Sequence, residues 1–183
     1  MAKPQFGTSA TQAACLFDVL GPEKAKQYYR DLARNEIRIV AGNKQVAEGV
    51  SAGQFAVGVT DTDDAIIEVK AGKPVALIFP DREAPAGDRM GTLFIPNTLA
   101  IIRGGPNPAG ARRLVDYLLS TTVEEELSGS ASCQIPLNPL ATPRLPPQIL
   151  TPKTAKPMAV NWDHAADLWD DVQTFLRNEF TVR

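Results

Sequence analysis

Three carboxylates and two hydroxyls crowd into five consecutive residues, Thr60-Asp61-Thr62-Asp63-Asp64. Strand formers (Phe55, Val57, Val59) precede them, and a helical pattern (Ala65, Ile66, Ile67, Val69) follows at once. The cluster is thus expected at the carboxyl end of a strand, where open α/β sheets bind ligands. Oxygen donors in this pattern suit a hard cation or the hydrogen-bond donors of a solute. Plain helix initiation also uses such residues: Asp61 or Thr62 as the cap, Asp63 and Asp64 against the helix's positive end. Capping accounts for one cap and one first-turn acid. It gives less reason for three like charges to converge, since each raises the cost of the next.

Two other helix starts bear on the same chemistry. Gly7-Thr8-Ser9-Ala10-Thr11 precedes an apolar stripe of Ala13, Ala14, Leu16, Phe17 and Leu20, closed by Gly21. The first turn of a helix leaves backbone N–H groups unpaired, and a small-residue loop in front lets an anion approach them. Thr8, Ser9 and Ala10 are therefore candidate anion ligands, with ordinary capping as the alternative. Ile37, Ile39 and Val40 predict a short strand, after which Asn43 is expected to cap a helix ending at Gly53.

Other reactive side chains point elsewhere. Tyr28 and Tyr29 are adjacent on a helix started by Pro22, about 100° apart, so one packs and the other faces solvent. Cys15 and Cys133 have no metal-type spacing and are expected as buried free thiols. The lone His164, in the first turn of the last helix, reads as a surface or capping residue. An enzyme holding Mg²⁺ on Asp61, Asp63 and Asp64 is the rival from another class. No nucleophile–base pair and no phosphate-loop lysine accompany it.

The elements that must position these residues follow from pattern. Pro74–Pro80 predicts a buried strand, 81–91 a loop, and 92–102 two strands crossing at Pro96-Asn97, because proline rarely sits within a central strand. Ala111–Ser120 predicts a helix with an apolar face of Leu114, Val115, Leu118 and Leu119, and a short helix follows toward Gly129. Seven of the chain's 15 prolines fall between 136 and 157, which predicts an extended surface strap. Asn161 caps a final helix whose stripe of Trp162, Ala165, Ala166, Trp169, Val172, Phe175 and Leu176 reads as core. The expected class is α/β, an open mixed sheet flanked by helices.

The totals set outer bounds. The chain has 183 residues, 44% hydrophobic and 22% charged, which is ordinary for a globular protein. A net charge of -2 offers no basic surface for nucleic acid. No stretch approaches the roughly 18 apolar residues of a membrane span. The N-terminus lacks the apolar core of a secretory signal, so the chain is expected to be cytoplasmic or a piece whose front has been removed.

Taken in order, GTSATQAACLF, AGNKQVAEGVSAGQFAVGVTDTDDA, GTLFIPNTLAIIRGGPNP, ARRLVDYLLS and ASCQIPLNP resemble the extracellular solute-binding proteins of ABC importers. The likeness is to the ferric-iron-binding branch of the type II periplasmic fold, and it covers most of the chain from about Pro4 to the final helix. It implies a second lobe at 4–103, a helical return at 104–134, a Pro-rich strap at 135–160 and a C-terminal helix at 161–183, with the first lobe largely missing. It implies a non-catalytic role, a small-molecule or metal ligand, importer membrane subunits as partners, and a periplasmic or extracellular place for the full-length protein. By resemblance, Thr8, Ser9, Ala10 and Asn43 hold a synergistic anion. Asp61, Thr62, Asp63 and Asp64 hold the metal, Fe³⁺ or divalent, or another ligand. They stand where ferric-binding relatives carry adjacent tyrosines, a pair that this chain lacks there, and Gln12 stands where some relatives have His. The apolar face of 111–120 would pack on the absent lobe, and a second copy is one candidate to cover it here. A stand-alone interaction domain that lost transport is the third reading.

Overall fold

Helices occupy 48% of the described residues of the computed structural model, which are 1–81 and 90–180. They are α1 (Gly7–Leu20), α2 (Pro22–Arg34), α3 (Asn43–Ser51), α4 (Thr62–Lys70), α5 (Pro108–Leu118), α6 (Thr121–Gly129), α7 (Trp162–Asp167) and α8 (Trp169–Phe180). Local chemistry accounts for most of their ends. Pro22 opens α2 at a position where its missing N–H is not needed, and Arg34 sits at the negative end of the same helix. Asn107, Ser120 and Asn161 cap α5, α6 and α7 by accepting from the backbone N–H of Gly110, Val123 and His164. The expected single C-terminal helix is interrupted at Leu168, so α7 and α8 are separate.

The expected sheet is not there. Among the described residues the only β-type pairings are two isolated parallel bridges, Ala2 with Val40 and Thr92 with Pro157. The α/β class read from the sequence is therefore corrected to a helical fold with extended connections. Segments 37–40, 55–60, 74–79 and 92–102 form no strand, and the isolated bridges at Val40 and Thr92 are their only β-type pairings among the described residues. High β-propensity means only that a residue suits a pleated, half-buried surface, not that a partner strand lies beside it. Residues 55–60 lie instead on α3: a Cβ at Gly58 would stand 2.4 Å from the Val46 side chain, so only glycine permits the approach. Val57, Ile78 and Ile102, expected as strand residues, are each about 80% exposed or more. The expected loop at 81–91 falls largely on 82–89, outside the described residues.

Two apolar clusters form, one joining α1, α2 and α8 and one under α4. Ala13, Leu16 and Phe17 of α1 pack with Ala25 and Tyr29 of α2 and with Val172 and Leu176 of α8. Phe17 and Phe175 add a tilted ring pair at 5.8 Å. Tyr29 is buried while Tyr28 is partly exposed, as adjacent helical positions require. The smaller cluster sets Ile66 of α4 against Cys133 and Ile149 from the segment after α6. Both cysteines are free and buried, and burial beside Asp18 pushes the Cys15 thiol up to about 11. Trp162 and Trp169, expected in the core, are partly exposed, whereas Ala165, Val172 and Leu176 are buried as expected. No residue of α5 is buried, and its Leu114 and Tyr117 face outward.

The clusters predict an uneven stability map. Phe17→Ala should cost about 3–5 kcal/mol through lost transfer energy and a cavity. Leu114→Ala, on the uncovered face of α5, should change stability by no more than about 0.5 kcal/mol. Urea unfolding followed by circular dichroism compares the two; equal costs would contradict this division of core and surface.

Candidate functional site

The polar residues at the three helix starts do not cap their own helices. Phe6, Gly42 and Asp61 occupy the N-cap positions of α1, α3 and α4, and none makes a side-chain cap bond. Asn43, expected as a cap, is instead the first residue of α3. Freed from capping, these side chains bond across to one another. Thr8 Oγ1 donates to Asp61 Oδ2 at 2.6 Å, and Asn43 Nδ2 donates to the same oxygen at 2.6 Å. Asn43 Nδ2 also lies 2.9 Å from Thr8 Oγ1, and Ser9 Oγ donates to Asn43 Oδ1 at 3.3 Å. Thr60 Oγ1 closes the set by donating to the Asn43 carbonyl at 2.9 Å. One carboxylate oxygen thus ties the N-termini of α1, α3 and α4 together, where their dipoles favour negative charge.

Around this junction a cavity of about 660 Å³ opens. Thr8, Ser9, Asn43, Thr60, Asp61, Thr62 and Asp63 form its polar side. Leu93, Phe94, Ile95, Leu118, Leu119 and Leu127 contribute apolar wall, with Trp162 at the start of α7. Of the eight residues singled out in the sequence, six line this space. Ala10 is fully buried in α1 and its N–H already bonds the Phe6 carbonyl at 3.2 Å, so it has no amide to offer. Asp64 borders a shallower hollow instead, with Lys3, Phe6 and Lys44.

Asn97 and Gln134 were not singled out as site residues, yet both act on the acidic loop. Gln134 Nε2 donates to Asp63 Oδ2 at 3.2 Å, and Asn97 Nδ2 donates to Gln134 Oε1 at 3.3 Å. Asp63 Oδ1 accepts from the Asp64 N–H at 3.1 Å. Asn97 is exposed, so nothing in the sequence required it to find a protein partner. Gln134 had only its place ahead of Ile135-Pro136 to recommend it.

One carboxylate oxygen from each of Asp61, Asp63 and Asp64 lies within 4.8 Å of the others. Burial raises the Asp64 carboxyl above its ordinary range, and the charges of Asp63, Asp61 and Glu48 push the same way against Lys44. In the pH window between the ordinary aspartate value and this raised one, the folded chain holds more proton than the unfolded chain. Stability therefore falls as pH rises through that window. Asp64→Asn should raise Tm at neutral pH, and the gain should shrink as pH drops below the aspartate range. Thermal melts of both proteins across pH check this; a loss at neutral pH, or a gain independent of pH, would contradict it.

A family model described as bacterial extracellular solute-binding protein matches residues 5–125. The span opens just before α1 and ends inside α6, so it includes all six cavity residues foreseen from the sequence. Gln134 and Trp162 lie past its end. No curated protein and no solved structure matches the chain.

Proposed function

Because the chain belongs to the bacterial extracellular solute-binding proteins, we propose that it is a non-catalytic solute-binding component of an ABC importer, working in the periplasm or outside the cell. Its solute lies in the cavity between the junction of α1, α3 and α4 and the apolar wall of Leu93, Phe94, Ile95, Leu118, Leu119 and Leu127. The observation that supports this most is the two-sided lining of a space of about 660 Å³. Small-molecule sites fall in roughly the 300–1,000 Å³ range and combine apolar walls with a few convergent polar groups. The partners in this reading are a small solute and importer membrane subunits; a second copy of the chain is not among them.

The acidic cluster favours a second reading, in which the cargo is a metal ion accompanied by a synergistic anion. Three carboxylate oxygens within 4.8 Å of one another suit a hard cation. The anion fits less well at Thr8, because the Asp61 carboxylate already lies 2.6 Å from the Thr8 hydroxyl. An incoming anion would meet that charge.

Amide NMR titration with a panel of sugars, amines, oxyanions, Mn²⁺ and ferric citrate tests both readings. The expected result is a saturable shift at Thr8, Asp61–Asp63 and Leu93–Asn97, abolished by Leu127→Arg. Shifts confined to residues away from the cavity would contradict the solute site. Absence of any response to Mn²⁺ and ferric citrate would remove the metal reading.

A further inference from the structure

The charge census of the cavity narrows what it can hold. Its described lining includes Asp61, Asp63 and Glu124 and no Lys, Arg or His. Glu124 is committed elsewhere: its Oε2 accepts the backbone N–H groups of Leu137 and Asn138 at 2.6 and 2.8 Å. Asp61 and Asp63 make no ion pair to any described Lys, Arg or His side chain. Their donors, Thr8, Asn43, Gln134 and the Asp64 N–H, are all neutral.

A solute that covers these carboxylates removes them from water, and a buried charge without a compensating charge is costly. An anion adds repulsion to that cost. A neutral polyol supplies donors to the carboxylates, but sets its other hydroxyls against Leu93, Ile95, Leu118 and Leu127, where nothing accepts them. A bare metal ion leaves the apolar wall facing water. A positively charged organic group with an apolar body satisfies both sides at once. Phe94 and Trp162 on the same lining add aromatic surface, which attracts cations.

Resting on the reading of this cavity as the solute site, we infer that its solute is a small organic cation, an ammonium or guanidinium head on an apolar body. The head sits against Asp61 and Asp63 and the body against Leu93, Ile95 and Leu127. Asn97 and Gln134 hold Asp63 toward the head by the relay described above, so Asp63 sets the charge preference. Asp61 also holds the helix junction.

Three probes with one body and different heads isolate the charge: 2-phenylethylammonium, 2-phenylethanol and phenylacetate. Calorimetry on the full chain at low salt should give binding for the ammonium, with the alcohol and carboxylate at least about tenfold weaker. Asp63→Asn should erase the preference and Asp63→Glu should retain it, with circular dichroism confirming that both variants fold. Equal binding of the three heads, tighter binding of phenylacetate, or no binding of any would overturn the cation class. The companion readout is the amide shift. Binding that maps to Asp61–Asp63 without head preference leaves the cavity standing and fails only the cation. Binding that maps away from the cavity fails both.

Discussion

A single carboxylate oxygen, Asp61 Oδ2, is the constraint on which the rest of the site depends. It accepts from Thr8 of α1 and from Asn43 of α3 while its own backbone begins α4. Three helix N-termini would otherwise meet with their positive ends together, which repels. A carboxylate placed between them turns that repulsion into attraction, and hydrogen bonds to a charged acceptor contribute roughly 1.5–3 kcal/mol each. The loop thereby becomes a fixed wall. Asp63 and Asp64 then have defined positions in the first turn of α4, where burial first, and the neighbouring charges of Asp63 and Asp61 second, raise the Asp64 carboxyl.

Helix α1 couples this wall to the main core. Its first turn supplies Thr8 and Ser9 to the cavity, and its later turns bury Ala13, Leu16 and Phe17 against α2 and α8. The far end of the chain returns to the same helix. Asp18 takes the Asn161 N–H at 2.7 Å on one oxygen and lies 2.7 Å from His164 Nδ1 on the other. That contact fixes the start of α7, where Trp162 borders the cavity. The lone histidine is thus a structural clasp that also helps place a cavity residue.

Much of this was legible in the sequence. Helix positions followed from apolar periodicity and from Pro22, Asn107 and Asn161 at the starts. Convergence of Thr8, Ser9, Asn43 and Asp61–Asp63 was expected from polar residues at the junctions of three strand–loop–helix units and from the family resemblance; the helix starts meet as expected, without the sheet. The sheet did not follow, because a run such as Pro74–Phe79 reports compatibility with a strand and says nothing of a neighbour. Ala10 was misjudged for a similar reason: its N–H counts as unpaired only if the helix begins later than Gly7. The capping role given to Asn43 failed because a side chain within reach of Asp61 does better there than on its own backbone. Gln134 lay 71 positions from Asp63, and no local pattern encodes a partner that distant.

The packing of α8 on α1 has a consequence for the order in which the chain can assemble. Phe17 waits for Phe175, and Asp18 waits for His164, 146 residues later. Contacts of such sequence separation slow folding, since loop closure precedes the energy that rewards it. During synthesis from the N-terminus, α1 and α2 emerge with Leu16, Phe17 and Tyr29 lacking the residues that cover them. They stay uncovered until Val172 and Leu176 have left the ribosome. Between the emergence of α2 and that of α8 the nascent chain therefore shows this apolar surface, and the arrival of α8 is the step that makes the main core safe from aggregation.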